Sequence, residues 1–177
     1  MIRFSQFSLA RGVKPLFDAA SFTLNPGEKA GLVGANGAGK STLFSVLRGE
    51  LHADGGEVFL PPSWRIAHVA QETPAVEQTA LEYTLDGDAA LREIEDHIAR
   101  AEAAHDGEAL AHAHAAFADA DGYTAPARAE ALLLGLGFTL AQTRERVAAF
   151  SGGWRMRLNL AQALMCRSDL LLLDEPT

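Results

Sequence analysis

The chain has 177 residues, enough for one ordinary domain or slightly more. Hydrophobic residues make up 48% and charged residues 21%, a globular composition that excludes disorder, and no apolar run approaches the ~20 residues of a membrane span. A net charge of −8, from 15 basic and 23 acidic residues, argues against simple electrostatic coating of nucleic acid. No basic, apolar, small-residue leader opens the sequence, and a single cysteine, Cys166, makes no internal disulfide and suits a reducing compartment.

In chain order, Ile2 and Phe4, then Phe7 and Leu9, predict a half-buried strand with one irregularity between the two pairs. Ala20, Phe22 and Leu24 alternate as a second strand, which Asn25-Pro26-Gly27 stops: Pro26 presets φ and Gly27 accepts φ > 0, as a type II turn requires. Lys29 to Val33 is a more continuously apolar run, expected as a buried parallel strand. A glycine-rich loop follows, then a helix from Ser41 to Arg48 closed by Gly49. Gly55-Gly56 precedes two further strand candidates, Glu57 to Leu60 and Arg65 to Ala70.

The middle of the chain is helical in character. From Ala99 to Ala131, 15 of 33 residues are alanine, the strongest helix former. Leu91, Ile94, Ile98 and Ala101 mark one helix face, Leu110, Ala113 and Phe117 a second, with a break at Asp106-Gly107. Asp121-Gly122 ends that helix, and Ala129, Leu132, Leu133 and Leu136 form a third. A helix reaches Met165, and Leu170 to Leu173 reads as a strand buried on both faces with Asp174-Glu175 at its tip. A sheet hardly ends on such a strand, so further sequence is expected after Thr177.

Gly34-Ala35-Asn36-Gly37-Ala38-Gly39-Lys40-Ser41 matches G-x-x-x-x-G-K-[ST]. Glycines at those positions let several N–H groups turn inward toward a phosphate, and the following helix adds a positive dipole end. Lys40 is expected to reach the β and γ phosphates of a nucleotide and the Ser41 hydroxyl to ligate Mg²⁺, with Thr42 next to it in the binding set. The strand ending in Asp174 suits a carboxylate for the metal, directly or through water, and Glu175 a general base for the attacking water. Phe150-Ser151-Gly152-Gly153-Trp154 is a second anion cradle, a serine and glycine N–H groups at a helix start.

The order of these motifs resembles the ATP-binding-cassette ATPases, with Ser151-Gly152-Gly153 in the place of that family's signature. The resemblance implies an α/β P-loop cassette with an N-terminal antiparallel β subdomain and a helical subdomain. It further implies two cassettes packed head to tail, so that Ser151, Gly152 and Gly153 serve the nucleotide opposite the one held by Lys40. Gln71 resembles the family's glutamine that senses Mg²⁺ and the water. The stretch from Ser151 to Leu164, followed by Leu-Leu-Asp-Glu-Pro-Thr, is most similar to the F-type (ABC-F) branch and its YheS-like members. That implies a soluble cytoplasmic ATPase using ATP and Mg²⁺, with a second cassette on the same chain and the ribosome as partner, and no membrane insertion. The Leu91–Phe117 helices fall where that branch carries an arm-like insertion. On this basis residues 1–84 form the nucleotide-binding core, 85–150 the helical subdomain, and 151–177 the signature helix and acid-tipped strand.

Two departures bear on the expectation. Arg11 stands where the family commonly stacks an aromatic ring on adenine, and a guanidinium plane also stacks on a base. Trp154 stands at the signature's usual glutamine position. The same motifs also occur in the energising subunit of a membrane transporter, the second reading, and a nonhydrolytic interaction module is a third. His97, His105, His112 and His114 read as solvated rather than metal-binding, and Cys166 as a packing residue. Trp64 suits a core or a surface position alike, and Arg144, Arg146, Arg155 and Arg157 suit a small basic face toward RNA but read rather as helix-surface charge.

Overall fold

A computed structural model describes residues 1–69 and 75–174. They divide into two units, Met1–Ile66 and Ala67–Thr177, and the expectations for Gln71 and Glu175 lie outside the described residues.

The first unit is built on a three-stranded antiparallel sheet in the order β2-β1-β3, with β1 spanning Ile2–Arg11, β2 Lys14–Leu24 and β3 Gly55–Phe59. Ile2, Phe4, Phe7 and Leu9 are all buried on one face, although Phe4 and Phe7 are three apart in a period-two strand. The extra residue is absorbed at Gln6, where φ is +50° and the pairing to both neighbours slips. Phe4 stacks on Phe22 at 4.3 Å and meets Phe7 edge-on at 5.1 Å, so the slip keeps one continuous apolar face. Gly56 lies opposite the slip with φ +75°, and a Cβ there would overlap the Gln6 carbonyl. The glycine pair expected to precede β3 is thus part of it.

At the other end of β1, Gly12 with φ +64° opens a two-residue loop that sets Arg11 across from Lys14. The Asn25 carbonyl accepts from Glu28 N–H at 3.1 Å across the turn that ends β2, with Gly27 at φ +80°. Helix α1 (Lys40–Leu47) buries Leu43, Val46 and Leu47. It closes with Gly49 at φ +74°, where Gly49 N–H donates to Val46 O and Glu50 N–H to Ser45 O, a complete Schellman closure.

The expected strand Lys29–Val33 is not formed: residues 28–33 carry no regular structure, Leu32 is 39% exposed and Val33 93%. An apolar run becomes a strand only where a neighbour supplies its ladder, and the β2-β1-β3 sheet of this unit does not extend to it.

The second unit is mainly helical. It holds α2 (Ala80–Leu85), α3 (Ala89–Ala104), α4 (Gly107–Asp119), α5 (Ala125–Gly135) and α6 (Gly152–Met165). β4 (Ile66–His68), at the junction, pairs with β5 (Leu170–Leu172), and Val69 N–H donates to Leu172 O at 3.2 Å. Of the expected terminal strand only Leu172 is buried; Leu173 is 40% exposed.

Two apolar clusters hold the helices. Ala80, Tyr83, Leu133, Phe138, Val147, Phe150, Leu158 and Ala161 form one, and Leu85, Leu91, Ala125, Ala129 and Met165 the other. Just past α2 the chain meets α6 so closely that a Cβ on Gly87 would overlap the Gln162 carbonyl, while Gln162 Nε2 donates to Tyr83 O at 2.9 Å. Buried between them, the Tyr83 hydroxyl donates to Asn159 Oδ1 at 2.6 Å. Asp88 and Asp106 cap α3 and α4, and His105 at φ +53° reverses the chain between them, at the break expected from Asp106-Gly107. Arg92 spans Glu82, Asp86 and Glu95 at 2.6–2.8 Å and ties the start of α3 to α2.

Candidate functional site: a phosphate loop

The Gly34–Ser41 loop is an open turn seated on hydrophobic support. Ala38 N–H donates to Ala35 O at 3.1 Å, and Gly37 takes φ +75° at the third turn position. Gly39 is buried with φ +102°, and a Cβ on it would come within 3.1 Å of Leu16 Cβ and 3.3 Å of Phe17 Cε2. A Cβ on Gly34 would meet Ala38 Cβ at 3.2 Å. The glycines are therefore demanded by curvature and by the approach of β2, not by solvent exposure.

Gly39 is the N-cap of α1 and has no side chain to cap with. The first intrahelical bond runs from Leu43 N–H to Gly39 O, so the N–H groups of Lys40, Ser41 and Thr42 precede the ladder. No acidic residue occupies the first turn of α1, in contrast to Glu82 in α2 and Glu108 in α4. The positive dipole end is left without a carboxylate of the chain's own. Lys40 Nζ folds back to donate to Gly34 O at 2.8 Å and Ala35 O at 3.2 Å, which sets its ammonium on the loop. Amide donors ahead of the helix ladder, a cationic side chain and a bend with glycine at its tight positions suit the terminal oxygens of a polyphosphate. The exposed Ser41 hydroxyl is a hard oxygen ligand of the kind Mg²⁺ takes.

One residue near the loop was not singled out by its sequence. Lys14 Nζ donates to Gly37 O at 3.0 Å, bringing a second ammonium to the loop from the start of β2. The signal was present in Gly12, whose turn fixes Lys14 opposite Arg11, but only the folded hairpin aims the side chain at the loop. Arg11 is exposed at that hairpin end.

The remaining expected residues belong to the second unit. Ser151 is the N-cap of α6 (φ −66°, ψ 163°) and makes no side-chain bond to it, and its carbonyl accepts from Arg155 N–H at 2.9 Å. Gly152 and Gly153 form the exposed first turn, with nothing within 4 Å of a Cβ built on either. Trp154 lies edge-on to Phe138 at 4.8 Å, with the Arg157 guanidinium 4.6 Å from its ring centre. Asp174 follows β5 and is 7% exposed. Arg146 pairs with Glu77 at 2.6 Å, and Arg157 stacks on Trp154. His97, His105, His112 and His114 are all exposed, and no metal-binding cluster occurs among the described residues. Trp64 and Cys166 are half-buried.

Comparison with known proteins places this geometry. The sequence profile of the family described as ABC transporter matches residues 17–177. The chain is 54% identical, over all 177 residues, to a protein of Escherichia coli (strain K12) named probable ATP-binding protein YheS, and covers 28% of its length. It is 39% identical over 185 aligned residues to human ATP-binding cassette sub-family F member 3, covering 99% of this chain and 25% of that one. Among solved structures, a nucleotide-free ATP-binding cassette from an ABC transporter superposes with a TM-score of 0.63 at 22% identity, over 100% of this chain and 69% of the other. The chain thus spans little more than a quarter of the curated relatives it matches. With a profile matching residues 17–177, and a phosphate loop built as described, the chain belongs to the ABC transporter family, as an ATP-binding cassette similar to those of YheS and the sub-family F proteins.

Proposed function

We propose that the chain is a nucleotide-binding cassette of an F-type ATPase that binds Mg-ATP and hydrolyses it on the ribosome, in the cytoplasm. The observation that carries this reading is the loop itself: amide donors of Gly39–Thr42 ahead of the α1 ladder, no acid in the first turn, and Lys40 Nζ on the loop carbonyls. In this reading Gly34 to Thr42 hold the phosphates, Arg11 stacks on the base, and Ser41, Asp174 and Gln71 serve the metal. Glu175 takes a proton from the attacking water, while Ser151, Gly152 and Gly153 stabilise the γ-phosphate of the opposite cassette. Residues 1–84 act as core, 85–150 as helical subdomain and arm, and 151–177 as signature and acid-tipped strand. The F-type assignment rests on relatives named YheS and sub-family F member 3, and among the described residues no helix is long and apolar enough to cross a membrane.

Two variants of the full-length protein test it. Lys40→Ala is expected to abolish Mg-ATP uptake in calorimetry. Glu175→Gln is expected to keep binding, lose hydrolysis by a factor on the order of 10²–10⁴, and hold the protein on ribosomes in an ATP-dependent co-sedimentation. Normal hydrolysis by Glu175→Gln removes the base assignment. Retained binding without ribosome association removes the ribosomal role.

A further inference from the structure

We infer that Lys14 is a positioning residue of the phosphate loop, holding the Gly37–Ala38 peptide in the turn so that its carbonyl is kept away from the anion. The inference rests on the reading of Gly34–Ser41 as a nucleotide cradle and adds a residue from outside the motif. A trans peptide points its C=O and its N–H in opposite directions. In this one the carbonyl accepts from Lys14 Nζ at 3.0 Å, while the N–H donates to Ala35 O at 3.1 Å on the turn's inner side. Lys40 Nζ donates to the same Ala35 O at 3.2 Å and to Gly34 O. The two lysines therefore bracket the peptide, Lys40 within the bend and Lys14 behind it.

The peptide needs holding because of its sequence. Gly37 sits at φ +75°, exposed, with nothing within 4 Å of a built Cβ, so beside the Lys14 bond only the turn bond from Ala38 N–H to Ala35 O opposes a flip. A flipped peptide would break the turn bond to Ala35 O and turn a carbonyl oxygen toward the phosphate, a lost bond and a repulsion together. A charge-assisted bond to the carbonyl from behind selects the receptive orientation before the ligand arrives. Lys14 is fixed for this purpose by its own strand: it pairs with Arg11 across the Gly12 turn, and two residues on, Leu16 and then Phe17 contact Gly39. One short stretch of β2 thus lies against the loop at both Gly37 and Gly39.

Lys14→Met keeps the aliphatic stem and removes the donor; Lys14→Arg keeps a cation of similar reach. Mg-ATP binding is measured by calorimetry on the full-length protein beside Lys40→Ala, with thermal melting of each ligand-free protein and ¹H–¹⁵N spectra of this chain. Lys14→Met is expected to bind roughly tenfold more weakly, and Lys14→Arg within about threefold of the parent. The ligand-free melting temperature should stay unchanged, while the Gly37 and Ala38 amide resonances of Lys14→Met split or broaden. If Lys14→Met melts lower, Lys14→Arg decides: restored affinity supports positioning, unrestored affinity overturns it. Parental affinity in Lys14→Met, with binding lost in Lys40→Ala, overturns the role of Lys14 and leaves the cradle intact. Parental affinity in Lys40→Ala overturns the cradle itself.

Discussion

Single residues in this chain are constrained mainly by how close two backbones come. Gly56 carries two constraints, φ +75° and the Gln6 carbonyl in the space of its missing Cβ, whereas Gly12 carries only φ +64° with open space around it. Gly12→Ala is expected to cost about 1–2 kcal/mol, the left-handed penalty alone. Gly56→Ala should cost clearly more, because the bulge at Gln6 must also move; urea denaturation of the pair separates strain from overlap. Tyr83 gives a pH-dependent case. Burial, and then the Asp86 carboxylate, push its phenol above the ordinary value of 10.0. A raised folded value means that the native state holds this proton more tightly than the unfolded chain does. The contribution is full below pH 10 and is lost as pH rises through the folded value. Tyr83→Phe removes the hydrogen bond to Asn159, costs about 1–3 kcal/mol at neutral pH, and should flatten the alkaline side of the stability profile.

At the scale of elements, punctuation was more legible than strands. The break between α3 and α4 could be read from Asp106-Gly107 because a capping aspartate acts on its own neighbours: Asp106 Oδ1 accepts from Ala109 N–H at 3.0 Å. Asp106→Ala is expected to cost about 1 kcal/mol, seen as faster amide exchange in the first turn of α4 while α6 is unaffected. The irregularity in β1 was legible for a similar reason, since Phe4 and Phe7 share a face only if one residue is spare. α2 escaped notice because six residues show too little periodicity, and its place is set by Thr79, whose hydroxyl accepts from Glu82 N–H, and by packing on α6. Lys29–Val33 misled in the opposite direction. Its composition is that of a buried strand, but a ladder is supplied by distant chain, and composition cannot report whether that partner is there.

For the whole molecule, the candidate site was legible wherever its chemistry sits in one contiguous stretch and illegible where it depends on distant approach. Gly34–Ser41 and Ser151–Gly153 announce themselves, each being a loop and a helix start; Lys14 does not, because twenty-three residues separate it from the carbonyl it holds. The chain carries one cradle of each kind, one in each of its two units. If, as proposed, the two serve different nucleotides, a single cassette completes neither composite site, and two cassettes complete both. That separates the cradles experimentally. With Mg-ATP, Glu175→Gln protein of this chain should double its mass in sedimentation, and adding Lys40→Ala should abolish both the doubling and nucleotide uptake. Adding Gly153→Asp, which puts a carboxylate where the opposite γ-phosphate would sit, should abolish doubling while uptake at the Lys40 loop persists at parental affinity. Loss of uptake in the Gly153→Asp protein would mean that both cradles act on one nucleotide within one copy, and doubling that survives it would mean that the signature takes no part in association.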